Sequence, residues 1–237
     1  MAEIVIDERF RGPPHSANGG YVAGRLAAFV DAQEVEVRLV APPPLGRPLA
    51  VAPLGDGAFE LRDGDRQLAV ARPGRLELAP PPPVGLDEAR AAAARTTLPV
   101  ADHPYPTCFG CGPLREPGDA LCHRCGPVAG GDLLACPATT DPRLPTRDDG
   151  SLAPEVVWAA LDCPSAAPVV PAGSRPHVLG TLTARLERPV RAGEPHVCVA
   201  WALGADGRKK RSAAAVLDAG GRLCAIAEAV WIEIRAR

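Results

Sequence analysis

Lysine, aromatic residues and net charge are all scarce in this chain, and each shortage closes off a class of function. Lys209 and Lys210 are its two lysines, and 26 Lys+Arg against 28 Asp+Glu leave a formal net charge of −2. That balance offers no global field for nucleic acid. The densest basic cluster, Arg208–Lys209–Lys210–Arg211, is too short for the purpose and has no aromatics interleaved for base stacking. No run of about 18 apolar residues occurs, so no membrane-spanning helix is expected. The opening MAEIVIDERF carries acids early and lacks an apolar signal core, so a cytoplasmic location is expected. In that setting the eight cysteines read as reduced thiols or metal ligands rather than disulfides.

What is present is a globular composition, 46% hydrophobic over 237 residues, enough for one large domain or two of ordinary size. The chain also repeats itself. VRLVAPPPLGRPLAV (37–51) resembles ARLERPVRAGEPHVCV (184–199), DGDRQLAVA (63–71) resembles AGGRLCAIA (219–227), and GGYVAGRLA (19–27) lies over PEVVWAALD (154–162). The three matches come in the same order in both halves, as duplicated units separated by small loop insertions would.

Each half reads as a helix followed by antiparallel strands. VEVRLV, LAVAPL, AFELRD and RQLAVARPGRLEL serve the first, and VLGTLTARLER, HVCVAWAL, SAAAVLDA and RLCAIAEAVWIEI the second. GDG, DGD, ADGR and AGGR are the hairpin turns. APPPPVG (79–85) is a stiff break, and LDEARAAAARTT (86–97) reads as a connecting helix with Asp87 and Glu88 in its first turn. The organisation predicted is an N-terminal repeat over 1–85, a linker helix over 86–107 and a C-terminal repeat over 108–237. One helix per sheet, twice over, is an α+β pattern.

The stretch HSANGGYVAGRLA (15–27) places two glycines at a helix start, where each costs roughly 1 kcal/mol relative to alanine inside a helix. One reading is close helix packing or a tight turn after Asn18. The other is chemical: helix-start amides are unpaired and carry about half a positive charge, and glycine lets a ligand carbonyl approach them. Asn18 either caps the helix or adds an amide donor. Asp162 lies in the apolar stretch VVWAALDCPSAAPVV, where a carboxylate is costly unless it is paired or functional. Pro164 biases Cys163 away from helix, which makes a helix-terminal role for Asp162 the alternative.

YPTCFGCGPLREPGDAL (105–121), followed by DGSLAPEVVWAALD (149–162), resembles the opening of a PaaI-type hotdog thioesterase domain, and Asn-Gly-Gly resembles that family's His-Gly-Gly helix start. With both halves counted, the chain is similar to a double-hotdog acyl-CoA thioesterase. The resemblance implies a tandem double hotdog, two antiparallel sheets each wrapping a central helix, as a pseudo-dimer in one chain. In such enzymes a helix-start amide polarises the thioester carbonyl, and a carboxylate on the partner helix acts as base or nucleophile. Here the first half keeps Gly19 and Gly20 but has Ala27 at the carboxylate position, whereas the second keeps Asp162 but has Pro154 and Glu155 in place of the glycines.

One composite site is therefore expected, with Gly20, Gly19 and Asn18 polarising the carbonyl and Asp162 activating water or attacking directly. His15, Tyr21 and Trp158 are expected to line the pocket, Glu155 to stand as a second acid, and Arg208 and Lys209 to meet CoA phosphates. The substrate is an acyl-CoA or acyl-carrier-protein thioester, with no required cofactor, no nucleic acid and no membrane. The assembly is a monomeric pseudo-dimer or a homodimer of double hotdogs. A non-catalytic acyl-CoA or lipid-like binding module, a hydratase pairing His15 with Asp162, and a structural zinc protein using the fold for partner binding are the other readings.

Cys108-x2-Cys111-x10-Cys122-x2-Cys125 has the spacing of a four-thiolate structural zinc site. Against it, LCHRC falls where the resemblance puts the first strand of the second repeat, and a strand does not form a zinc turn. Cys136, Cys163, Cys198 and Cys224 sit on apolar segments and read as buried fillers.

Overall fold

The computed structural model describes residues 2–96 and 98–234. Alternating apolar residues build the sheet: β1 (Ala2–Val5), β2 (Glu34–Leu39), β3 (Pro48–Gly55), β4 (Ala58–Asp63) and β5 (Arg66–Pro73) come from the first half. The second half supplies β6 (Gly126–Pro127), β7 (Leu134–Ala138), β8 (His177–Leu186), β9 (His196–Asp206), β10 (Lys209–Asp218) and β11 (Leu223–Glu233). The helices are α1 (Gly19–Ala27), α2 (Leu86–Ala93) and α3 (Pro154–Ala166).

All the strands join one eleven-stranded antiparallel sheet in the order β1-β3-β4-β5-β2-β8-β11-β10-β9-β7-β6. The two antiparallel sheets expected, one per half, are thus joined edge to edge into one. β2 pairs with β8 in the register Val35↔Ala184 and Val37↔Leu182, which satisfies both inner edges at once. Arg185 Nη1 donates to Glu34 Oε1 at 2.6 Å across that junction. Outward from it, each half runs through three hairpin-linked strands before reaching its outer ones.

α1 and α3 pack against each other and against one face of the sheet, where Val37, Leu61, Leu182, Ala214 and Ala227 form the main core with Leu26, Val156 and Leu161. Alternation turns Val197, Val199, Ala215, Leu217 and Ile226 to the opposite face, where α2 covers them with Ala89 and Ala92. The connecting helix is thus docked on the second half.

α3 runs through Pro164 to Ala166, so Pro164 does not end the helix. A mid-helix proline orphans the carbonyl four residues back, and here the Cys198 thiol points at that Ala160 oxygen from 3.7 Å. Ser165 Oγ donates to the Asp162 carbonyl at 2.6 Å and accepts from Trp231 Nε1 at 2.9 Å, which pins the last turn to β11. LCHRC forms no strand, and the short β6 begins only at Gly126. β1, which pairs with β3, and β7, which pairs with β9, extend the two ends of the sheet.

Candidate active site

The two helices cross closely because glycines line the contact. A Cβ on Gly20 would stand 2.5 Å from Asp162 Cβ and 2.6 Å from the Trp158 carbonyl oxygen, and one on Gly24 would meet Glu155 Cα at 2.5 Å. Gly20 is therefore explained by helix packing, the first of its two readings, and the close approach has a polar consequence. Asp162 Oδ2 accepts the Gly20 N–H at 2.8 Å, joining the second half's carboxylate to the first half's helix start.

The first turn of α1 divides its amides. Asn18 Oδ1 caps Tyr21 N at 2.9 Å, the Asn18 carbonyl accepts from Val22 N, and Gly20 N is held by Asp162. The Gly19 amide donates to no protein group among the described residues. Gly19, not Gly20, lines the adjoining cavity of about 800 Å³, together with Asn18 and Asp162. Of the two glycines expected to face a carbonyl, Gly19 is the one whose amide is free beside the cavity.

Asp162 is 2% exposed and its Oδ1 has no hydrogen-bond partner. Burial raises its pKa to about 7, against the pull of the Gly20 amide. The rest of the cavity wall is largely apolar, from Val40, Pro43, Leu134, Val170, Leu179 and Trp231. His177 adds a polar point: its Nδ1 lies 2.8 Å from the Arg175 carbonyl, so it donates there, and its buried Nε2 is unpartnered. Sequence reasoning passed over His177 because a lone histidine at a strand start carries no local signal.

Several expected lining residues lie elsewhere. His15 is exposed in a left-handed turn, with φ 62°, and is not in the cavity wall, which removes the His15–Asp162 hydratase pair. Tyr21 stacks on Phe10 with ring centroids 3.9 Å apart, and Trp158 is buried against Gly24, so both are core residues. Glu155 faces Arg25 at 4.0 Å, outside the cavity. Arg208 and Lys209 are exposed at the β9–β10 hairpin tip and contribute nothing to the cavity wall.

The four-cysteine set also separates. Cys108 and Cys111 group with Cys163, the ligand atoms lying within 4.8 Å of one another, whereas Cys125 Sγ meets Cys136 Sγ at 3.3 Å and Cys122 Sγ faces the Arg115 carbonyl at 3.4 Å. The physical reason is that residues 121–125 form no turn; Leu121 N and His123 N bond along the Phe109 and Gly110 carbonyls instead. Within the group, hydrogen bonds from the Cys111 and Cys163 thiols, then from the Cys111 and Gly110 amides, hold the Cys108 thiol well below its ordinary range.

No family model matches the sequence, and no curated protein matches it. Solved structures do. The tesB protein of Mycobacterium avium subsp. paratuberculosis is similar over 94% of this chain and 90% of its own, at 13% identity and TM-score 0.58. Acyl-CoA thioesterase II TesB2 from Mycobacterium marinum is similar over 99% and 93%, at 13% identity and TM-score 0.53. A conserved hot dog fold protein from Alicyclobacillus acidocaldarius is similar over 99% and 93%, at 12% identity and TM-score 0.58. At these identities the likeness shows the fold: the chain is a hotdog-fold protein over nearly its whole length, similar to hotdog-fold thioesterases.

Proposed function

We propose that the protein hydrolyses an acyl thioester, acyl-CoA or acyl-carrier-protein bound, at one composite site between two hotdog repeats. The observation that carries this reading is the Asp162 Oδ2–Gly20 N–H bond at 2.8 Å, which seats the carboxylate beside Gly19 in the wall of the cavity. The sheet order, which reads outward from β2–β8 in corresponding steps, supports a tandem double hotdog with repeats over 1–85 and 108–237 joined through 86–107.

In the proposed reaction the thioester carbonyl oxygen points at the free Gly19 amide, in the positive field of the α1 start. Gly20 is a positioning residue, because its N–H fixes one carboxylate oxygen and leaves Oδ1 for a water. Asp162 accepts a proton as the water oxygen bonds to the carbonyl carbon. The tetrahedral intermediate then collapses with cleavage of the C–S bond, and the thiolate leaves and takes up that proton. The apolar wall accommodates the acyl chain.

The test follows cleavage of short, medium, long and aromatic acyl-CoAs by chromatography, because the protein's own thiols would react with a thiol dye. Wild type is expected to turn over at least one class. If no acyl-CoA or acyl-carrier-protein thioester is cleaved while acyl-CoA still binds, the protein is a ligand-binding hotdog module instead.

A further inference from the structure

Three sulfurs converge beside Asp162, and neither helix packing nor thioester cleavage accounts for them. Cys108 and Cys111 flank the loop turn Cys-Phe-Gly-Cys-Gly, while Cys163 comes from α3. The Cys108 and Cys163 sulfurs are 3.7 Å apart, and the ligand atoms of all three cysteines lie within 4.8 Å of one another. Zinc–sulfur bonds of about 2.3 Å at tetrahedral angles give sulfur–sulfur edges of about 3.8 Å.

The backbone around these sulfurs is shaped for them. Gly112 N closes the turn on the Cys108 carbonyl at 2.9 Å, and a Cβ at Gly112 would stand 2.5 Å from Cys108 N. A Cβ at Gly110 would overlap the Cys163 sulfur. Glycine at both positions is what lets a third thiol from another element reach a two-cysteine turn. Asn18 Nδ2 lies 3.8 Å from Cys108 Sγ and 3.9 Å from Cys163 Sγ, an outer donor to both.

We propose that Cys108, Cys111 and Cys163 form a metal site that holds a zinc ion through three thiolates in the cavity wall. All three line the cavity, so the fourth coordination position falls to a small ligand or water within it. Binding forms three Zn–S bonds and releases the protons of the bound thiols to solvent. The other sulfur cluster lacks this character. His123 beside it already accepts the Thr139 N–H on Nε2 at 2.9 Å, and Cys125 and Cys136 meet there without a two-cysteine turn.

This site does not depend on the thioesterase reading, since metal content is measured without turnover. Full-length protein, purified reduced and exposed to zinc, then freed of excess, is assayed by elemental analysis and by its cobalt(II) absorption. We expect about one zinc per chain, with cobalt giving thiolate charge-transfer and tetrahedral visible bands. Cys163→Ser and Cys111→Ser should each weaken binding at least roughly ten-fold, while Cys122→Ser and Cys125→Ser keep wild-type stoichiometry. Cys111 is only partly buried and lies in a loop rather than on α3, so its variant remains informative if Cys163→Ser misfolds. No metal uptake by folded, reduced wild type overturns the proposal, as does loss of metal in Cys125→Ser with retention in Cys111→Ser.

Discussion

The two ends of the α1–α3 crossing have the same architecture and opposite equipment. At one end α1 starts on Asn18-Gly19-Gly20, with a free amide, a buried carboxylate across the contact and a cavity of about 800 Å³ alongside. At the other end α3 starts on Ala153-Pro154-Glu155, without a side-chain cap, and Pro154 supplies no N–H at all. The residue that would answer Asp162 is Ala27, and Glu155 is matched with Arg25 at 4.0 Å. Oxyanion chemistry at a helix start needs a bare amide, a carboxylate in reach and room for the ligand. Each end has a helix start, but the set is complete at one.

The sharpest way to break this contrast is to remove the carboxylate. Asp162→Asn keeps the shape and still accepts the Gly20 N–H, yet it cannot take a proton from water, so turnover should fall roughly 10³-fold with acyl-CoA affinity little changed. Retained turnover in steady-state assays would show that both ends are equally inert and that the chemistry lies elsewhere. Gly20→Ala attacks the packing beneath the site. Its Cβ would stand 2.5 Å from Asp162 Cβ and 2.6 Å from a backbone oxygen, neither of which can swing away. Overpacking of this kind costs about 1–3 kcal/mol, or roughly 2–12 °C in Tm for a domain of this size. An unchanged melting curve would sink the close-packing explanation of that glycine.

Asp162→Asn also carries a stability signature opposite in sign to its effect on turnover. The carboxylate's folded pKa of about 7 lies above its ordinary value, so the folded state holds the proton more tightly than the unfolded state. That stabilisation is present at acid pH and is lost as pH rises from about 4 through about 7. The nearby ionisable groups are the Cys108, Cys111 and Cys163 thiols, and a thiolate among them pushes in the same direction. At pH 8 the asparagine variant should therefore be more stable than wild type by up to about 4 kcal/mol, read as a higher denaturation midpoint. An equal or lower midpoint would mean the buried charge is better paired than it looks.

The helix α1 and the eight long strands were legible because apolar alternation and hairpin glycines are local signals. The Gly20–Asp162 pairing was also within reach, through the offset between the repeats. What escaped was decided by distant groups. Pro164 stays helical because Cys198, on β9, meets the orphaned Ala160 oxygen and because Trp231, on β11, holds Ser165. Cys108 and Cys111 have Cys163 as their neighbour rather than Cys122 or Cys125, since the third sulfur arrives on a helix and no spacing rule links them. The division of labour between Gly19 and Gly20 depends on which amide the carboxylate captures, and that follows from the helix crossing.

The mildest perturbation tests the inert end. Glu155→Gln removes a charge whose partner, Arg25, is 4.0 Å away, and the two side chains are 22% and 30% exposed. Exposed pairs of this kind are worth about 0–1 kcal/mol, so the loss should stay within about 0.5 kcal/mol. A second contribution has the same sign, because an acid in the first turn of α3 complements the helix dipole by a few tenths of a kcal/mol. Neither reaches the cavity, so kcat and KM should stay at wild-type values while the denaturation midpoint drops slightly. A large fall in turnover would mean that Glu155 takes part in the reaction and that the two helix starts are coupled after all.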